Sequence, residues 1–188
     1  MTAPRVRRIH PQKFALWVGI ISMTMLFSAF TSAYIVRKSA GNWLSFPLPD
    51  AFFYSTGVIL SSSILLHMAY KAFVKENYQL FRGLGIASSV LGIVFLILQY
   101  QGWIALNDIG VFLHTNQSSS FLGVMLLAHS FHLVGGLAAL SIVLTYALRK
   151  KTLKLTPKRQ LRMELVCTFW HFVDILWLYI IVFILIQQ

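Results

Sequence analysis

The stretch LVCTFWHFVDILWLYIIVFILIQQ, residues 165–188, runs for 24 positions with a single formal charge, Asp174. A helix needs about 20 predominantly apolar residues to cross a hydrocarbon core, so this segment is long enough to span a bilayer. Four earlier stretches, 14–36, 51–70, 83–107 and 109–148, carry no formal charge at all. The whole chain is 57% hydrophobic and 11% charged, far from the roughly 45–50% and about 25% of a soluble domain. The pattern predicts an all-α integral membrane bundle of five transmembrane helices near 14–36, 51–70, 83–106, 119–148 and 163–187, one membrane domain over residues 1–188.

The first apolar stretch exceeds the core of a signal peptide and has no small-residue cleavage site before Arg37, so it reads as a retained helix. The lone cysteine, Cys167, lies inside the last stretch and reads as a small buried apolar side chain; no disulfide framework or cysteine metal site is available. Gly41, Pro47 and Pro49 break the chain between the first two helices.

A net charge of +11 would suit nucleic acid, but its placement points to a membrane. Fourteen of the 16 lysines and arginines fall before helix one, between helices two and three, or between helices four and five; only Arg37 and Lys38 fall on the alternate side. With five crossings the positive-inside rule then puts the N-terminus in the cytoplasm and the C-terminus outside, with no nucleic-acid partner required. Trp43, Trp103 and Trp177 fall near the expected outer interface, where amphipathic rings commonly sit. Small residues four apart (Ser28 and Ser32, Ala29 and Ala33, Ser119 and Gly123, Gly135 and Ala139) are rows on which helices pack closely in lipid.

Ionisable groups at bilayer depth are costly and mark a pathway or a polar contact. His129 and His132 lie about 15 and 20 Å along helix four from its outer end, and His171 and Asp174 about 12 and 17 Å along helix five from its inner end. Each pair is spaced i, i+3 and projects from one helix face, so the two pairs are expected to meet as an interhelical polar cluster. Structural contact, proton handling and a metal or haem ligand set are the three readings of that cluster. His10 and His114 lie outside the spans, and His67 sits near the inner end of helix two, where a histidine commonly reaches for the interface. A five-helix haem-binding electron carrier and a small transporter are therefore competing functions; a transporter more often interrupts its helices and spreads polar groups over several spans.

Phe169-Trp170-His171-Phe172-Val173-Asp174-Ile175-Leu176-Trp177-Leu178 resembles the last-helix signature of subunit III of the haem-copper cytochrome oxidases, and Glu164 stands six residues before Trp170 as it does in that family. Ala128-His129-Ser130-Phe131-His132-Leu133-Val134-Gly135-Gly136 is similar to the family's Gly-Phe-His-Gly-Leu-His segment. Weaker matches run through 26–34, 60–63 and 91–99, so the resemblance covers about Phe14 to Ile186 in family order. It is to the short bacterial form that lacks the first two of seven helices. Two positions depart: Met23 follows Ser22 where the family commonly has a glutamate, and Gly102 replaces a second one three residues after Gln99.

The resemblance implies an accessory subunit III of a terminal oxidase (cytochrome c oxidase) in the bacterial cytoplasmic membrane. It implies docking on catalytic subunit I and other oxidase subunits, stabilisation of that subunit, and support of proton uptake. It implies no redox centre or metal in this chain, with haem and copper held by partner subunits, and bound membrane phospholipid. Glu164 joins His129, His132, His171 and Asp174 in the expected polar cluster, and Arg149 and Arg162, nearest the helix ends, are the expected phosphate ligands.

Overall fold

The computed structural model describes residues 10–39, 41, 47–111, 116–149 and 155–187, and every regular element among them is an α-helix. In chain order these are α1 (Pro11–Ser39), α2 (Asp50–Val74), α3 (Tyr78–Asp108), α4 (Gln117–Arg149) and α5 (Pro157–Gln187). All five are long and apolar enough to cross a membrane. Trp43, His114, Arg5, Arg7, Arg8, Lys150, Lys151 and Lys154 lie outside the described residues.

α1, α2, α3 and α5 each outrun the uncharged stretch that announces them, because charge does not stop a helix and local capping does, whereas α4 begins at Gln117, inside the 109–148 stretch. α1 and α5 start on Pro11 and Pro157, since proline fits a first turn whose N–H would be unpaired anyway. α5 therefore begins six residues before the expected 163. The expected basic loop between helices two and three shrinks to Lys75, Glu76 and Asn77. There the Asn77 N–H bonds the Ala72 carbonyl at 3.0 Å and the Glu76 N–H bonds that of Phe73 at 3.1 Å, a Schellman closure with Glu76 at φ 59°. Asn77 then caps α3, its side chain accepting from the Leu80 N–H at 3.2 Å. α3 ends in the same closure, this time with Gly110 at φ 80°.

α2, α3, α4 and α5 form a ring in which each helix packs on the next and α5 closes on α2; α1 lies outside it, in the groove between α4 and α5. α5 is the most buried helix and α1 the least. The ring is filled from α5: Trp170 and Trp177 are fully buried, with Phe52 of α2, Phe95 of α3 and Leu133 of α4 around them. Trp177 is thus not the interfacial residue its sequence position predicts. Its ring packs 5.2 Å from those of Phe95 and His129, and its Nε1–H donates to Thr56 Oγ1 at 3.0 Å.

The tightest seam joins α2 and α3. Ser62 Oγ donates to the Ser88 carbonyl at 2.9 Å and Ser88 Oγ to the Ser62 carbonyl at 3.0 Å. Gln99 Nε2 reaches Ser55 Oγ at 3.2 Å on the same seam. Ser55 and Ser62 of α2 thus bond Gln99 and Ser88 of α3, and Gly102 of α3 lies against Phe52 of α2, whereas Gly85 and Gly92, also buried on α3, turn to Leu144 of α4 and Trp170 of α5. Of the four-residue rows read in the sequence, only Ser119 and Gly123 are buried; Ser28, Ala29, Ser32, Ala33 and Gly135 are exposed. The close approaches fall at Gly85, Gly92 and Gly102, each against a large side chain of a neighbouring helix, which the four-residue rows do not reveal.

Candidate functional site

The five residues expected to cluster are distributed over four seams, α4–α5, α1–α4, α2–α5 and α1–α5. His129 is fully buried on α4 and does meet α5, but through the backbone: its Nε2 lies 3.2 Å from the Val173 carbonyl oxygen. Its N–H therefore satisfies a main-chain acceptor rather than a carboxylate. His132, one turn further, lies 2.6 Å through Nδ1 from the Ala128 carbonyl of its own helix, and its ring packs 6.1 Å from Phe27 of α1. The side-chain meeting of His129 or His132 with Asp174 or His171 is thus replaced by these contacts.

His171 turns from α4 to α2. Its Nδ1 stands 2.5 Å from Ser63 Oγ, and its ring lies 5.8 Å from that of His67. Asp174 is 3% exposed beside Ser63, and neither carboxylate oxygen has a well-formed hydrogen bond among the described residues. The i, i+3 spacing correctly places His171 and Asp174 on one face, but that face belongs to the α2–α5 seam. The ring topology is the reason: α5 has α2 on one flank and α4 on the other, and sequence order names only α4 as its neighbour.

Glu164 leaves the cluster altogether. It pairs with Lys13 of α1 at 2.5 Å, both about 40% exposed at the end of the bundle where α1 and α5 begin. Two further contacts tie α1 to α5: the Thr31 and Tyr179 hydroxyls at 2.7 Å, and Lys38 with Gln187 at the opposite end. None of these partners was legible, since Lys13, Thr31 and Lys38 sit about 150 residues from theirs. Ser63 was missed as well; it stood in the 60–63 stretch only as part of a resemblance.

Among the described residues, no group of three or more histidine, cysteine, aspartate and glutamate side chains converges as a metal-ion site would require. Cys167 is buried and unpaired. At the end of the bundle where α5 begins, a cleft of about 310 Å³ opens between the α2–α3 turn and the α4–α5 ends, with Phe73, Phe81, Ile142 and Val143 as its apolar wall. Lys158, Arg159 and Arg162 rim it, and the Arg159 guanidinium donates to Tyr146 Oη at 2.9 Å. Arg149, the last residue of α4, is exposed and is not part of this lining.

The architecture defines a multi-pass membrane protein in which His129, His132 and His171 are each held by an oxygen of the protein. The family model for cytochrome c oxidase subunit III matches residues 11–187, and the chain belongs to that family. It is 25% identical to the cytochrome bo(3) ubiquinol oxidase subunit 3 of Buchnera aphidicola subsp. Baizongia pistaciae, over 89% of this chain and 87% of the relative. It is 26% identical to a probable cytochrome c oxidase subunit 3 of Nocardia farcinica, over 87% and 80%. A probable cytochrome c oxidase subunit 3 of Mycobacterium bovis is 28% identical over 86% and 80%. The chain is accordingly an accessory subunit of a haem-copper oxidase, and the electron-carrier and transporter readings are not favoured.

Proposed function

We propose that this subunit docks on the catalytic subunit I of its oxidase in a bacterial cytoplasmic membrane, stabilises that subunit and supports its proton uptake, while haem and copper stay in the partner subunits. One observation carries the reading: the three histidines of α4 and α5 are engaged by protein atoms. His129 is held on the Val173 carbonyl, His132 on that of Ala128 and His171 on the Ser63 hydroxyl, which leaves them as packing contacts rather than a converging ligand set. The N-terminus is assigned to the cytoplasm and the C-terminus to the outside, on the distribution of basic residues. The five helices fold as one membrane domain.

Membrane phospholipid is the small-molecule partner. Arg162 stands at the rim of the 310 Å³ cleft, where its guanidinium can chelate a phosphate while acyl chains follow the apolar wall; Arg149 serves as an anchor at the helix end. Deleting the chain tests the reading. The account expects initial oxygen turnover per haem to survive and the enzyme to inactivate faster during turnover, with slower proton uptake. Unchanged lifetime and uptake in the chain-free enzyme would contradict it.

A further inference from the structure

α1 and α2 both pack on α5 without touching each other, so the outward side of α5 between them is covered by no helix among the described residues. That side is polar at bilayer depth. His171 lies near the middle of α5 and is half-buried; His67, on α2 about 10 Å from its Val74 end, is exposed. Ser63 occupies Nδ1 of His171, and the His67 and His171 rings lie side by side. Among the described residues, Nε2 of His171 and both nitrogens of His67 have no hydrogen-bond partner.

Hydrocarbon offers these atoms nothing, and unpaired polar groups are costly there. Near mid-span an imidazole on a single methylene cannot stretch to the headgroups as a lysine can, so His171 needs a partner within the membrane even where His67 lies nearer the inner end of α2. On the opposite face of the ring, Val90, Ile93 and Ile97 of α3 and Leu127, Phe131 and Val134 of α4 are exposed and apolar, with Tyr100 and the half-buried Ser130 as the polar groups beside them. Around the two imidazoles, Leu60, Ile64, Met68 and Ile175 supply an exposed apolar rim to a polar centre. That combination matches an interface between membrane helices, where packing supplies area and hydrogen bonds supply register.

We propose that the α2–α5 face centred on Ser63, His67 and His171 receives a transmembrane helix of another oxidase subunit, one that presents a hydroxyl, amide or carboxyl opposite the two imidazoles. The proposal rests on the subunit reading above and names the surface through which it acts. Neutral imidazoles can also bond to one another, so a second copy of this chain is an outcome that the test separates; another oxidase subunit is the occupant proposed because the chain belongs to an oxidase subunit family.

The test uses the oxidase purified through a tag on this chain, with a photoreactive phenylalanine analogue at position 64 or 175 on the proposed face, or at 97 or 127 on the α3–α4 face. Cross-links to another oxidase subunit are expected from 64 and 175 and not from 97 or 127. Subunit cross-links confined to 97 and 127, lipid adducts alone at 64 and 175, or dimers of this chain there would overturn the proposal. In parallel, His67→Leu with His171→Leu should weaken retention of the chain roughly tenfold, and the paired glutamine variants should weaken it less; equal retention of the leucine and unsubstituted chains contradicts the proposal. If the tagged chain brings down oxidase but cross-links elsewhere, only the docking face is wrong. If it brings down no oxidase, the subunit reading fails and the docking face with it.

Discussion

Gly102 stands against the Phe52 ring, where an added Cβ would lie 2.8 Å from Cζ, and Gly92 stands as close to Trp170 Cη2. Both are buried positions at which α3 meets aromatic rings that fill the bundle. Gly102 is also one of the two positions where the family commonly carries a glutamate, and Phe52 already occupies the space such a side chain would enter. Gly92→Ala or Gly102→Ala should destabilise the chain by about 1–3 kcal/mol through overpacking, whereas Gly83→Ala, with nothing within 4 Å, should be neutral or slightly stabilising. Thermal unfolding of the detergent-solubilised chain ranks the three; equal midpoints would contradict the packing described. Of the site, the depth of His129, His132, His171 and Asp174 was legible from helix length, as was the shared face within each pair. Their partners were not. A periodicity says which residues point the same way and is silent on which neighbour they point at, so Val173 and Ser63 had to come from the ring, and Phe27 from the helix packed outside it.

Between the helices, Glu76 is the one non-glycine residue with positive φ among the described residues, and it sits where α3's matching closure uses Gly110. An L-residue there carries about 1–2 kcal/mol of strain, so Glu76→Gly should stabilise by up to about 1 kcal/mol once glycine's extra unfolded-state entropy is set against it. A lower unfolding midpoint for Glu76→Gly would show that the glutamate makes a contact worth more than the strain. The Lys13–Glu164 pair is half in solvent, at 38% and 40% side-chain exposure, so a double-mutant cycle should give a coupling under about 1 kcal/mol. Coupling well above that would mean α1 is held by this pair rather than by the length of its seam. A hydrophobic carboxyl-directed carbodiimide should leave α1 unlabelled, since Pro11–Ser39 contains no aspartate or glutamate. Existence and order of all five helices were legible because each apolar run exceeds a bilayer's thickness. The ends were not, because Pro11, Pro157, Asn77 and the two Schellman closures set them a few residues beyond the last uncharged position.

At the scale of the molecule, a four-helix ring filled by two tryptophans of α5 is braced on one flank by α1 and left open on another between α1 and α2. Chain order made α4 and α5 neighbours and hid the closure of α5 on α2, which is what moves His171 and Asp174 away from the α4 histidines. The ring also explains how a chain with six histidines behaves as a scaffold: the deep ones bond to backbone and hydroxyl oxygen within single seams. The direct test of that claim is to purify the oxidase through a tag on this chain, release the chain with a harsher detergent, and assay haem, copper and oxygen turnover in both fractions. The account predicts that the tag brings down a haem-copper oxidase and that after release all haem, copper and turnover stay with the other subunits. Stoichiometric haem or metal on the released chain, or a tagged chain that brings down no oxidase, would contradict it.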